Sequence, residues 1–199
     1  PSSRWYSGSG IYRNVKLVVT DPVHVERYGT FVTTPDLEEH YAEDEAVVSV
    51  KTEVGNDTEL PQNAVVTTTI YDSEGQVFAQ SESTGEQQIA TGKTAVYEQT
   101  ITTEKPQLWS VDDPNLYELV SEVSVEGKVV DTYETSFGFR WVEMDPDEGF
   151  YLNNEYMKLN GVCMHHDQGA LGAVANYRAM ERQMEIMKSM GVNAIRVTH

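Results

Sequence analysis

Cysteine is nearly missing from this chain: Cys163 is the one thiol in 199 residues. That excludes an internal disulfide framework and suits a reducing compartment, so a cytoplasmic location is expected. Set within an apolar run, Cys163 reads as buried filler. Long apolar runs are missing too, and none approaches the ~18 residues of a membrane-crossing helix. No internal repeat or low-complexity tract stands out. Basic residues are scarce, with 14 Lys and Arg against 32 Asp and Glu and a formal net charge of −18. Such a surface repels phosphate backbones and anionic lipid, which excludes nucleic acid and membrane as partners. The acids are scattered apart from those in Asp36–Glu45, unlike an acidic tail. Two readings of the charge stand side by side. One is a halophile's protein, hydrated by its acids in a high-salt cytoplasm where self-repulsion is screened; the other is an acidic protein of an ordinary cytoplasm.

What is plentiful is strand-forming sequence. Residues 23–137 hold seven candidate strands: His24–Thr33, Ala46–Val54, Ala64–Tyr71, Gln76–Ser83, Thr94–Thr103, Leu116–Val125 and Lys128–Ser136. Ser73-Glu74-Gly75 and Glu126-Gly127 read as hairpin turns between them. Seven short strands at this spacing predict an antiparallel sandwich of immunoglobulin type. The cysteine pair of antibody domains is absent, so the core must stand on apolar packing alone, with Trp109 and Tyr117 as candidate plugs. No exposed aromatic cluster can be identified in the pattern. Upstream, residues 1–22 contain one strand, where Val15, Leu17 and Val19 alternate with Lys16, Val18 and Thr20 before Asp21-Pro22 ends it. Downstream, residues 138–157 read as a linker with a turn at Asp145-Pro146-Asp147-Glu148-Gly149 and a small hairpin around Asn153-Asn154.

The last stretch, Lys158 to His199, reads as strand, turn, helix, strand. Leu159–Met164 is a short apolar run ending in His165, His166 and Asp167. Asn176 can cap a helix in which Met180, Met184 and Met187 recur at helical spacing, with Glu181, Arg182, Glu185 and Lys188 on the other side. Gly191 falls where a left-handed residue ends a helix. Asn193–Val197 is the second strand, so the stretch forms one βαβ unit, and function in such units gathers beyond the carboxyl ends of the strands. His165, His166, Asp167, Arg196 and His199 all lie there. A lone βαβ unit can neither close a barrel nor cover its own faces, and Pro1 is no initiator methionine. The sequence is therefore expected to be a piece of something larger. The histidines admit three readings: plain loop residues, a catalytic site, or zinc ligands. Adjacent His165 and His166 project to opposite faces and chelate poorly together, and no HExxH or cysteine-pair spacing accompanies them.

The run GVCMHHDQGALG, followed after a helix by GVNAIRVTH, resembles the opening of the catalytic barrel in glycoside hydrolase family 2, nearest to its β-galactosidase branch. RWYSGSGIYRNVKLVVTDP at Arg4–Pro22 is similar to the last strands of that family's jelly-roll sugar-binding domain. QLWSVDDPNLYELV at Gln107–Val120, with FGFR at Phe137–Arg140, is similar to the later part of its immunoglobulin-like domain. The resemblance implies a mainly β chain in three parts. Residues 1–22 would end the jelly roll, residues 23–137 form the immunoglobulin-like β-sandwich, and residues 138–199 supply a linker and the first βαβ of a (β/α)8 barrel.

The same resemblance implies a retaining glycosidase, which needs two carboxylates about 5 Å apart. In the family both are glutamates on later barrel strands, so none is expected here and the chain alone should be inactive. What it implies for this chain is part of the sugar-binding wall. His165 matches the family's histidine after the first barrel strand, a sugar contact. Arg196 matches an arginine beside the nucleophile, His199 a further sugar contact, and Asp167 an acidic position of less defined role; His166 is left unassigned. No cofactor is expected within the chain, because the magnesium or sodium sites of some relatives draw ligands from elsewhere. A β-galactoside is the expected substrate of the whole protein, and a homodimer is one way to cover the exposed barrel segment. A β-glucuronidase or β-mannosidase is the rival within the family. A non-enzymatic immunoglobulin-like carbohydrate-binding or adhesion module is the rival outside it.

Overall fold

Alternating side chains build the centre of this molecule. In the computed structural model, which describes residues 10–198, β1 (Val23–Thr33), β2 (Glu45–Asn56) and β6 (Lys93–Glu104) form one antiparallel sheet in the order β1-β2-β6. A second sheet joins β3 (Gln62–Tyr71), β4 (Val77–Gln80), β7 (Tyr117–Val125) and β8 (Lys128–Phe137) in the order β4-β3-β7-β8, with the short β5 (Gln87–Ile89) paired to β3. Every second residue of β2, β3, β6 and the first part of β7 is buried, and these rows face one another as an immunoglobulin-like sandwich. The Glu126-Gly127 turn puts both residues at positive φ, the backbone a two-residue hairpin requires.

The core does not stand on apolar packing alone. Midway along the inward rows lie buried polar residues: Thr52 on β2, Thr68 on β3, Gln99 on β6 and Ser121 on β7. Two apolar clusters flank them. One contains Val23, Val54, Val66, Tyr97 and Val123; the other contains Leu37, Val48, Ile70, Leu119 and Phe139. Thr68 Oγ1 donates to Gln99 Oε1 at 2.7 Å, and Gln99 Nε2 donates to Ser81 Oγ at 2.6 Å. Buried polar atoms need such partners, because desolvating them unpaired is costly.

The aromatic plug also differs from the sequence expectation. Tyr117 is buried as expected, but its partner is Phe139, fully buried with its ring centroid 5.0 Å away and perpendicular. Trp109 is only half-buried: the Arg140 guanidinium lies 4.6 Å from its ring centroid, and its carbonyl accepts from Asn153 Nδ2 at 3.0 Å. Helix α1 (Leu37–Ala42) arises from the acidic block; it buries Leu37 and places Glu38 and Glu39 in its first turn, where the helix dipole favours anions.

At the sandwich's open side, β8 covers the edge of β1 with side chains. Asp131 Oδ2 accepts from Val25 N at 2.8 Å, and Tyr133 Oη accepts from Tyr28 N at 3.2 Å. This satisfies edge amides that would otherwise invite another strand. The edge bulges between Val25 and Thr30, where a Cβ on Gly29 would meet the Glu26 carbonyl at 2.7 Å. The bulge leaves Tyr28 and Phe31 exposed, an aromatic surface not visible in the sequence pattern.

Two compact units divide the described residues: 19–143 with 151–155, and 10–18, 144–150 and 156–198. Strands β9 (Val142–Asp145), β10 (Gly149–Leu152) and β11 (Glu155–Tyr156) make a small sheet in the order β11-β10-β9. Asp145 Oδ1 accepts from Asp147 N and Glu148 N in the anticipated turn, and Asn153 and Asn154 both take positive φ. The expected strand over Val15–Thr20 is not formed. Residues 11–20 contain no strand, and Leu17 is 90% exposed; among the described residues no strand pairs with them. Arg4–Ser9 of the upstream motif and His199 lie outside the described residues.

Candidate functional site

The βαβ stretch folds as its pattern predicts. Strands β12 (Gly161–Met164) and β13 (Ala194–Val197) pair in parallel, joined by a 3-10 turn at Gly169–Leu171 and helix α2 (Tyr177–Ser189). Asn176 Oδ1 caps α2 by accepting from Ala179 N at 3.0 Å, and Gly191 takes φ +83° just past its end. Arg178 pairs with Glu181 and Glu185 on the exposed face. Asn193 laces the amino ends of the strands: its Nδ2 donates to Lys158 O at 2.9 Å and its Oδ1 accepts from Asn160 N at 2.8 Å.

The carboxyl ends carry the candidate residues. Cys163 registers against Arg196 and Met164 against Val197, and the ladder continues one step as Thr198 N donates to Met164 O at 3.0 Å. This brings Thr198 beside His165, with Thr198 Oγ1 3.0 Å from Nδ1 and 3.4 Å from Nε2 of the imidazole. By strand alternation Arg196 and Thr198 project from one face of β13. Arg196 is exposed and forms no ion pair among the described residues. An uncompensated guanidinium there is a ready partner for a carboxylate.

Asp167 serves the loop. Its Oδ1 accepts from Gly169 N at 3.0 Å, opening the 3-10 turn, and its carbonyl accepts from Gln183 Nε2 of α2 at 3.2 Å. His166 is half-buried. The structure therefore brings His165 and Thr198 together and sets Arg196 two residues before Thr198 on the same strand face, while Asp167 anchors the turn. His199 lies outside the described residues. Among those residues no group of three or more His, Cys, Asp or Glu is arranged to hold a metal ion.

Three residues escaped the sequence reading: Thr198, Asn193 and Gln183. Gln183 left a signal, being polar on the helical face that carries Met180, Met184 and Met187. Cys163 corrects an expectation. It is exposed rather than buried, because β12 has β13 as its one neighbour among the described residues and no second layer covers this side of the strand.

Comparison with known proteins matches Glycosyl hydrolases family 2 to residues 23–140 and the TIM barrel domain of the same family to residues 142–199. The chain is 45% identical over 199 residues to "Beta-galactosidase BoGH2A" of Bacteroides ovatus, covering all of this chain and 23% of that protein. It is 29% identical over 196 residues to a β-glucuronidase of Bacteroides fragilis, covering 96% of this chain and 27% of that one. The crystal structure of a family 2 member from Bacteroides cellulosilyticus superposes with a TM-score of 0.86 at 38% identity, covering 98% of this chain and 26% of the other. The chain thus spans about a quarter of the length of these relatives.

Proposed function

This chain belongs to glycosyl hydrolases family 2, and we propose that the whole protein is a retaining β-galactosidase acting on terminal β-D-galactosides. The 45% identity to a β-galactosidase along the entire chain carries the choice of sugar. In this reading the 199 residues supply architecture and part of the sugar-binding wall, and both reacting carboxylates lie elsewhere in the protein. The immunoglobulin-like sandwich is the architectural part. His165 grips a sugar hydroxyl, and its hydrogen bond strengthens as charge develops on the sugar. Arg196 keeps the nucleophilic carboxylate ionised and oriented, since an adjacent guanidinium favours the charged form. His199 is a second sugar contact, and Asp167 shapes the loop that holds His165. Any magnesium or sodium site of the whole protein draws its ligands from outside this chain.

A β-glucuronidase is the second reading, favoured by the relatives that carry that name, one of them from Bacteroides fragilis. Turnover of aryl β-galactoside, β-glucuronide and β-mannoside by the whole protein separates them. The β-galactosidase reading expects the highest kcat/KM for the galactoside. A higher value for the glucuronide or the mannoside overturns it.

A further inference from the structure

We propose that Gln183 is a positioning residue: from helix α2 it holds the loop that follows β12, and with it the placement of His165 and Asp167 against the sugar. The link to the sugar rests on the function proposed above. Gln183 lies on the α2 face that carries Met180, Met184 and Met187, where an apolar side chain would be the ordinary choice. Its Nε2 donates to Asp167 O at 3.2 Å. A carboxamide can meet a carbonyl only through its NH2 group, so this partner fixes which way the amide faces. The other atom, Oε1, is shielded from solvent and has no hydrogen-bond partner among the described residues. Leaving a buried acceptor unpaired costs stability, a cost that a methionine here would avoid. What the glutamine adds is the bond to the loop. The loop is otherwise closed locally: Asp167 Oδ1 accepts from Gly169 N at 3.0 Å, Gln168 N donates to Gly172 O at 2.9 Å and Gly172 N to Gly169 O at 3.0 Å. A turn closed on itself can shift as a unit, and the Gln183 bond ties it to the helix two residues after His165.

The test reads the Asp167 carbonyl ¹³C shift and the exchange of the Gly169 and Gly172 amides by NMR in this 199-residue chain, with kcat/KM for an aryl β-galactoside in the whole protein. The variants are Gln183→Met, Gln183→Glu and Gln183→Lys. Methionine keeps the length and removes the donor; Gln183→Leu supplies the same comparison should the methionine variant not fold. Glutamate offers acceptors alone, and lysine donors alone. Positioning through the donor expects lysine to stay nearest the unaltered protein in carbonyl shift and loop exchange, methionine to depart, and glutamate to depart furthest. A side chain that only fills space expects the reverse, with methionine nearest. The methionine variant of the whole protein is expected to lose roughly tenfold in kcat/KM, the scale of one lost hydrogen bond, and Gln183→Lys to restore most of it. An Asp167 shift and loop exchange unchanged in Gln183→Met, or nearer the unaltered values there than in Gln183→Lys, overturn the proposal whatever the activity. A loosened loop with unchanged kcat/KM keeps Gln183 as the tie of the loop and overturns the placement of His165 and Asp167 against the sugar. A whole protein inactive on the galactoside counts against the function proposed above, while the NMR readouts still judge the loop contact.

Discussion

Thr68 and Gln99 meet inside the sandwich, the threonine hydroxyl donating to the carboxamide oxygen at 2.7 Å between the two apolar clusters of the core. Gln99 is the one long polar side chain in the inward row Ala95, Tyr97, Gln99, Ile101, Thr103 of β6. Its amide also reaches Ser81, so a single side chain ties β6 to residues of the facing sheet and the segment after β4. Satisfied networks of this kind strengthen in a low-dielectric interior and penalise a shifted register, where their atoms would be stranded.

Gln99→Leu should therefore destabilise the chain by about 1–3 kcal/mol, because the Thr68 hydroxyl is left with its best partner gone. Adding Thr68→Val should recover part of that loss, since both polar partners are then replaced by apolar groups. Urea unfolding of the two single variants and the double variant checks this. A Gln99→Leu protein as stable as the unaltered one would contradict it.

Alkaline pH acts on a second buried group. Burial pushes the Tyr97 phenol up to about 12, and its hydroxyl donates to Ala64 O at 3.0 Å. Burial raises Tyr117 as well, against the opposing hydrogen bond from Gln107 N. The folded state thus holds these protons more tightly than the unfolded one. The stability they contribute is whole below the ordinary phenol value of about 10 and falls as pH rises towards about 12. Tyr97→Phe should lower stability at neutral pH by roughly 1 kcal/mol and flatten the decline between pH 10 and 12. Urea midpoints measured across that range test the sign.

Charge repulsion leads to a third expectation. With 32 acids against 14 bases, like charges crowd the surface, and about 1 M salt shortens the screening length to roughly 3 Å. Thermal unfolding should shift upward between low and molar salt. An unchanged Tm would remove the high-salt reading of the composition.

Exposed apolar side chains on the βαβ stretch predict self-association. Tyr177 is 80% exposed, Val197 75% and Met190 72%, and among the described residues the outer edges of β12 and β13 have no partner strand. Such surfaces favour burial against a second copy. Light scattering of the 199-residue chain should show concentration-dependent dimers. A strict monomer at all concentrations would contradict the expectation.

Strand alternation made most of the sandwich legible, because a half-buried strand writes its inward face into every second residue. The βαβ stretch was legible for the same kind of reason: the methionine spacing, Asn176 and Gly191 each encode a local requirement of the helix. What stayed hidden depends on partners distant in sequence. Helix α1 is six residues long, too short for a period to show. The plug fell to Phe139 rather than Trp109 because the Asn153 turn holds the Trp109 backbone. Thr198 is brought beside His165 by the register of β12 against β13, which no local pattern records. Val15–Thr20 shows the converse: alternation alone makes no strand without a neighbour to accept its hydrogen bonds.

In the proposed division of labour this chain orients the sugar while carboxylates elsewhere in the protein react. Hydrolysis of an aryl β-galactoside by the 199-residue chain, beside the whole protein under the same conditions, is the decisive comparison. Turnover by the whole protein and none above background by the chain alone is the expected result. Turnover by the isolated chain that persists through purification and is abolished by a substitution within it would mean that the reacting groups are among these residues.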